Sequence, residues 1–444
     1  MSKKVFLKGT LILACTGLVS RIAGFFYRIF LSHAIGAEGL GLYQLILPLQ
    51  GLMAALSYTG IQSALSRLIA SRLALQEKKE AYFSLVTGIF AAVFFSAVTG
   101  FLLFRHADFF ASTILKAPGT SDLLRLTAAS IPLCAIHSCI DSYYYAGKKA
   151  SVPAAVQLSE QTVRIGATYI LYLIFLSEGR PVTAMIAAGG SLAGEAAASL
   201  ISLLMVSFHF GNHPVKEKTS VKIFPLIKDL FTLSFPISLN RILLTLLGSI
   251  EAVLIPQMLI RCGMTSSEAL KIYGIFTGMA LPLLLFPSTI TTSAAVMLMP
   301  SVARMDALGD QKQIRYVTDQ TFFLCMFLGF LCGSGFFLFG PFLGTLLFHS
   351  KTAGTYIRYL SFICPFLYTN TMLASILQGL GRPGRCLIHS AAGILIRIFS
   401  VVFMIPAIGI RGYFYGIFLG ELLLSLLHVK ALKFPYRQAG DNRL

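Results

Sequence analysis

The chain has 444 residues, 56% hydrophobic and 12% charged, with a formal net charge of +18 and a mean hydropathy of +0.77. A water-facing surface needs far more charge, so a soluble domain of this length is excluded. A transmembrane barrel is excluded as well, because it would show alternating segments of roughly ten residues.

What remains is an all-α polytopic membrane protein. Twelve apolar segments are predicted, at 7–34, 40–66, 81–104, 123–146, 153–177, 182–208, 229–257, 271–301, 317–347, 355–380, 386–407 and 411–433. Prolines 236, 256, 282, 287 and 300 can kink or end helices in the seventh and eighth. If the N-terminus is cytoplasmic, 22 Lys and Arg fall on the inner side, 8 on the outer side and 6 within segments. That bias predicts that both termini are cytoplasmic. It also accounts for the basic excess without a nucleic-acid partner.

The longest polar connection predicts a cytoplasmic linker at 212–228. It separates an N-terminal six-helix bundle (1–211) from a C-terminal one (229–434), with a tail at 435–444. The halves resemble each other at an offset of 233. Arg125 matches Arg358, Pro132 matches Pro365, Lys149 matches Arg382, and Arg164-Ile165 matches Arg397-Ile398. Six segments per half is even, so the repeats insert in parallel, with a substrate site at their interface.

Segment 1 carries Arg21 and Arg28, seven residues apart and therefore on one helix face, with Gly17 and Gly24 on the same side. An arginine at the middle of a span costs at least about 2.5–3.5 kcal/mol, so such residues face a water-filled cavity or a partner. The segment is read as one wall of a basic cavity. The alternative is that Arg28 snorkels to headgroups while Arg21 pairs with an acid.

Segment 4 places His137 and Asp141 four apart, as a proton relay, a cation site or hydrogen-bonded packing. Segment 5 has the richest stripe: Gln157, Glu160, Gln161 and Arg164 recur at i, i+3, i+4 and i+7. Glu160 and Arg164 can neutralise each other, either as a cavity-lining pair or as a structural lock. Segment 7 carries Asn240, Arg241, Thr245 and Glu251, and occupies in the second half the place of segment 1. Arg397 in segment 11 is the repeat mate of Arg164. Glu195 and Glu421 sit among Gly and Ala, which predicts close helix packing.

The basic-cavity set is thus Arg21, Arg28, Arg164, Arg241 and Arg397, and the coupling candidates are His137, Asp141 and Glu251. The eight cysteines form no CxxC or CxxH pair and read as small apolar residues, so no metal site and no cofactor are expected. No HExxH, GxSxG or Walker A motif occurs, so no catalytic residue is assigned and the energy comes from a gradient, the membrane potential or the substrate's own concentration difference.

Three stretches carry a family resemblance: FLKGTLILACTGLVSRIAGFFYRIFLSHAIGAEGLGLYQLILP, YYYAGKKASVPAAVQLSEQTVRI and KIYGIFTGMALPLLLFPSTITTSAAVMLMPSVAR. Together they resemble the multidrug/oligosaccharidyl-lipid/polysaccharide exporter superfamily, in its stage V sporulation protein B-like polysaccharide branch, over almost the whole chain. The resemblance implies a V-shaped pair of six-helix bundles. It also implies rocker-switch transport of an undecaprenyl diphosphate-linked sugar precursor from inner to outer leaflet of a bacterial cell membrane, in polysaccharide or spore-cortex synthesis. Arg21 falls on the family's Ser/Thr-Arg-x-x-Gly, and Glu160, Gln161 and Arg164 on its segment 5 stripe. The chain departs from lipid II flippases in lacking arginines in LPLQGLMAAL, and no apolar segment follows 411–433. Independently of the resemblance, a diphosphate suits the arginine fork better than a lysine. A monomer in membrane lipid is expected, with H+ or Na+ coupling. The alternatives are a cation-coupled multidrug antiporter of the same fold, which would use unpaired cavity acids, and a membrane polymerase or ligase, which would need a large outer loop.

Overall fold

The computed structural model describes residues 3–212 and 223–433. The predicted linker at 212–228 falls largely outside the described residues, and the tail at 435–444 wholly so. The described residues are 91% helical and contain no strand. In a bilayer a lone helix satisfies its own backbone, which is why apolar runs of this length take no other form.

The helices are α1 (Lys3–Ala34), α2 (Gly36–Ser57), α3 (Thr59–Ala74), α4 (Lys78–Arg105), α5 (Ser121–Ala146), α6 (Ser151–Ser177) and α7 (Met185–Asn212). They continue with α8 (Ile223–Arg261), α9 (Ser266–Leu285), α10 (Ser288–Ala307), α11 (Gln311–Phe348), α12 (Lys351–Gly379), α13 (Pro383–Phe403) and α14 (Ile410–Lys433). Ten are long and apolar enough to cross a membrane. The two predicted segments outside those ten are α1 and α6. In α6 the polar stripe from Gln157 to Arg164 lowers the mean hydropathy.

The prolines resolve differently from one another. Pro236 and Pro256 lie inside an unbroken 39-residue α8. The eighth segment divides at Phe286-Pro287, and Pro287 is the residue that precedes α10. The second segment divides too, at Tyr58, where α2 passes into α3. Start signals are explicit on the polar connections. Thr265 and Glu268 form a reciprocal capping box for α9, and Asp310 and Ser350 cap α11 and α12 with their side chains.

By contacts the chain divides into two units. The first is Met1–Gln257 with Thr265–Gly278; the second is Met258–Met264 with Met279–Leu444. The first has a core where Leu65, Ile69, Leu85, Cys139, Ile140 and Leu230 join α3, α4, α5 and α8. In the second, Val302 of α10 packs on Leu373 and Ile376 of α12. The outer surfaces are apolar: α11 exposes Phe323, Leu324, Phe327, Phe330, Leu331 and Leu338, a face suited to lipid and not to water.

The sequence repeat appears inside each unit as a repeated contact. A Cβ on Gly100 of α4 would lie 2.9 Å from the carbonyl oxygen of Ala128 on α5. A Cβ on Gly333 of α11 would lie 2.8 Å from that of Ser361 within α12. Both residues of the second pair stand 233 positions after those of the first.

Candidate functional site

In the first unit, α5, α6 and α7 bring five charged or titratable side chains together. Glu195 of α7 is the centre. One carboxylate oxygen lies 2.9 Å from His137 Nε2 of α5, and the other accepts from Arg164 Nη2 of α6 at 3.4 Å. Arg164 also pairs with Glu160 one turn back. Asp141 Oδ2 stands 3.9 Å from His137 Nδ1. The five side chains are only 10–19% exposed. Cys134 completes the group: its sulfur, His137 and Glu195 offer ligand atoms all within 4.8 Å of one another. No metal was expected from the cysteine spacing, because that trio is assembled from two helices. Tyr27 of α1 reaches the same neighbourhood, hydrogen-bonding Thr168 of α6 at 3.0 Å.

Local sequence explains the close approach. A Cβ on Gly194 would meet the Glu160 carbonyl at 3.0 Å and Arg164 Cβ at 3.1 Å, and one on Gly190 would meet the Arg164 carbonyl at 2.8 Å. Two glycines four apart let α7 press onto α6, which delivers Glu195 to Arg164.

The second unit repeats this arrangement with different chemistry. Arg397 Nη1 of α13 donates to Glu421 of α14 at 3.3 Å. Asn370 of α12 donates through Nδ2 to the Glu421 carboxylate at 2.8 Å and to its main-chain carbonyl at 2.9 Å. Ser425 donates to Asn370 Oδ1 at 2.7 Å. Here a Cβ on Gly420 would meet the Gly393 carbonyl at 3.0 Å and Arg397 Cγ at 3.1 Å. Asn370 and Arg397 follow His137 and Arg164 by 233 residues, and Glu421 follows Glu195 by 226.

Glu195 and Glu421, assigned from sequence to packing, are therefore the acids on which both clusters converge. The packing is real, but it serves the ion pairs. A signal was present: Gly-x-x-x-Gly-Glu occurs at 190–195 and again at 416–421. It lies seven residues off the register of the other repeat matches, and an ungapped comparison passes over it.

The other predicted residues are dispersed. Arg21 is exposed on α1, and Gly17 and Gly24 have open space beside them. Arg28 is half-buried, makes no ion pair among the described residues, and has Tyr43 of α2 within electrostatic reach. Gln157 is exposed and Gln161 half-buried. Arg241 is exposed on α8, and its carbonyl accepts from Thr245 Oγ1 at 2.7 Å. Glu251 is buried on α8, within electrostatic reach of Tyr273. A pocket of about 640 Å³ in the second unit is lined by Lys312, Arg315 and Arg382 beside Phe322, Leu373 and Val429. None of the five predicted arginines lines it.

Outside the membrane segments, Arg72 pairs with Glu77 at 3.1 Å, Glu80 at 2.8 Å and Asp229 at 3.2 Å. Partial burial works against its charge, and the three carboxylates outweigh that effect and raise its pKa. The network ties the α3–α4 turn to the start of α8.

Apolar helices of crossing length, apolar outer surfaces and charged groups gathered inside the helix packing define a polytopic membrane protein, and its relatives make it one of the flippase and exporter class. More particularly, the chain belongs to the family of polysaccharide biosynthesis proteins, whose profile matches residues 6–306. It is 30% identical to stage V sporulation protein B of Bacillus subtilis (strain 168) over 440 residues, covering 96% of this chain and 83% of that one. It is 22% identical to the lipid II flippase MurJ of the same organism, covering 96% and 82%. Among solved structures it resembles MurJ in an inward closed conformation, with TM-score 0.72 and 14% identity over 96% of this chain and 88% of that one. It also resembles an outward-facing multidrug resistance MATE transporter of the MOP superfamily, with TM-score 0.66 and 15% identity over 98% and 99%. These two likenesses show the fold.

Proposed function

We propose that this protein moves an undecaprenyl diphosphate-linked oligosaccharide or cell-wall precursor from the inner to the outer leaflet of a bacterial cell membrane by alternating access, and is not an enzyme. The reading has twelve crossings, α1 and α6 included, as two parallel six-helix bundles with both termini cytoplasmic. The observation that carries it is Arg28. Arg164 and Arg397 are committed to carboxylates, whereas Arg28 is half-buried with no acid beside it among the described residues. A half-buried guanidinium with a tyrosine and no acid beside it is suited to an anion that comes and goes, and its fork suits a diphosphate. Arg21, two turns earlier on α1 and exposed, is suited to the first encounter. The relatives named for sporulation and for lipid II flipping support the same substrate class.

The test is native mass spectrometry of the detergent-purified protein. Wild type is expected to retain a polyprenyl diphosphate sugar. Arg28→Ala is expected to lose it, and Arg28→Lys to retain little of it. Equal retention by all three would sink the diphosphate reading. A drug antiporter of the same fold predicts instead saturable binding of a lipophilic cation that survives Arg28→Ala.

A further inference from the structure

The cavity of about 640 Å³ in the second unit lies between the first turns of α11, the end of α12 and the end of α14. Lys312, Arg315 and Arg382 stand beside the polar connections, and Phe322, Leu373 and Val429 lie further along the helices, away from those connections. Lys312 and Phe322 are ten residues apart, about 15 Å along the helix axis, half the hydrocarbon thickness of a bilayer. Three cations thus face one lining carboxylate, Asp319, which stands 4.0 Å from Arg315. Asp310, at the start of α11, accepts from the Gln313 N–H at 3.0 Å as a helix cap. Arg382 is held on its wall, where Nη1 donates to the Ala431 carbonyl at 3.2 Å.

Phe323 lines the same cavity and belongs to the exposed apolar face of α11. The cavity is therefore continuous with the surface that meets lipid, and a free phosphate would leave its apolar part unfilled. A basic rim by itself does not make such a cavity, as the repeat shows. In the first unit Lys78, Lys79 and Lys149 stand where the second has Gln311, Lys312 and Arg382. There, however, Tyr82 takes the place of Arg315, and Tyr143 that of Ile376. Phe210 of α7 packs on both tyrosines, with ring centroids 4.6 and 5.4 Å apart. Aromatic rings fill in the first unit what the second leaves open. The segment 434–444, which follows α14 in sequence, carries two arginines and one aspartate and so brings no negative excess to match the rim.

We infer that this cavity is a binding site for an anionic glycerophospholipid, its phosphate held by Lys312, Arg315 and Arg382 and one acyl chain laid along Phe322 and Leu373. Guanidinium and ammonium groups both make charge-assisted hydrogen bonds to a phosphodiester, which keeps its negative charge. The distribution of Lys and Arg assigns this side to the cytoplasm, where anionic lipids attract basic residues at the membrane surface. A lipid seated there bridges α11, α12 and α14 and stabilises the second unit by mass action. The site uses none of the arginines proposed to meet the transported lipid, and the inference does not depend on what that lipid carries.

The experiment titrates the full-length, delipidated protein in detergent with dioleoyl phosphatidylglycerol and, separately, with dioleoyl phosphatidylcholine, and counts bound lipid by native mass spectrometry. One phosphatidylglycerol is expected to bind ahead of the rest, about tenfold or more tighter than phosphatidylcholine. Lys312→Gln/Arg315→Gln, at exposed positions, is expected to weaken that first binding by about 30-fold, the effect of two charges near a phosphate. Thr318→Trp keeps all three cations and fills the cavity that Thr318 lines, and is expected to abolish the first binding. Lys78→Gln/Lys79→Gln, the corresponding change in the first unit, is expected to bind as wild type does. Equal affinity for the two lipids, or equal affinity in wild type and Lys312→Gln/Arg315→Gln, overturns the site. Undiminished binding by Thr318→Trp reduces it to attraction at the surface and overturns the seated chain. If Phe434→Ala/Tyr436→Ala binds phosphatidylglycerol tenfold tighter than wild type, the cavity belongs to the protein's own segment 434–444 and the inference falls. Arg28→Ala is expected to keep phosphatidylglycerol while losing the polyprenyl diphosphate sugar. Failure to retain that sugar in wild type therefore sinks the substrate reading alone, and failure to prefer phosphatidylglycerol sinks this one alone.

Discussion

Glu421 shows what a single buried acid does in this fold. Its carboxylate accepts from Arg397 and Asn370, and its side chain and that of Arg397 are 10% and 20% exposed. Removing it takes away the carboxylate that Arg397 faces at 3.3 Å. Glu421→Ala is therefore expected to destabilise the protein by about 2–3 kcal/mol, since a charge near mid-membrane costs that much. Arg397→Met/Glu421→Met is expected to recover most of the loss, because removing both charges also removes the desolvation penalty. Thermal unfolding in detergent reads both values. A double variant no better than the single one would show that the pair is more than a charge balance.

At the scale of the helix, the repeat is a repeated collision surface. Gly100 and Gly333 each sit against a carbonyl, at 2.9 and 2.8 Å from an added Cβ, one in each unit. Backbone cannot yield there as a flexible side chain can. Gly100→Val and Gly333→Val are each expected to cost about 1–3 kcal/mol, the usual range for overpacking. Gly335→Ala, with open space beside it, is expected to be neutral. Unequal costs at Gly100 and Gly333 would mean that the two contacts are not equivalent. The same logic explains the Gly-x-x-x-Gly-Glu pairs, where the absence of two Cβ atoms places a carboxylate on the neighbouring arginine.

For the molecule as a whole, the testable quantity is sidedness. The distribution of Lys and Arg puts Lys148 and Arg382 inside and Lys116 and Lys351 outside. Single cysteines at these positions, in a background without native cysteines, are expected to react with a membrane-impermeant maleimide on intact cells only at 116 and 351. Labelling at 148 would invert the assignment.

Fold class was legible in the sequence, because in a bilayer apolar length alone forces a helix and polar connections alone permit a turn. The sequence repeat was legible through Arg164, Arg397, Pro132 and Pro365, which stand in one register, and the Gly100 and Gly333 contacts recur at the same offset. The ion pair of Glu160 with Arg164 followed from one helix's periodicity. Periodicity on one helix says nothing of a neighbour. Glu195 reaches His137 and Arg164, and Glu421 reaches Asn370 and Arg397, because glycines let α7 and α14 approach α6 and α13. The second acid on Arg164, Glu195, was not legible for the same reason: which charges meet between helices is decided by packing at a few ångströms, and only the tertiary structure holds that information.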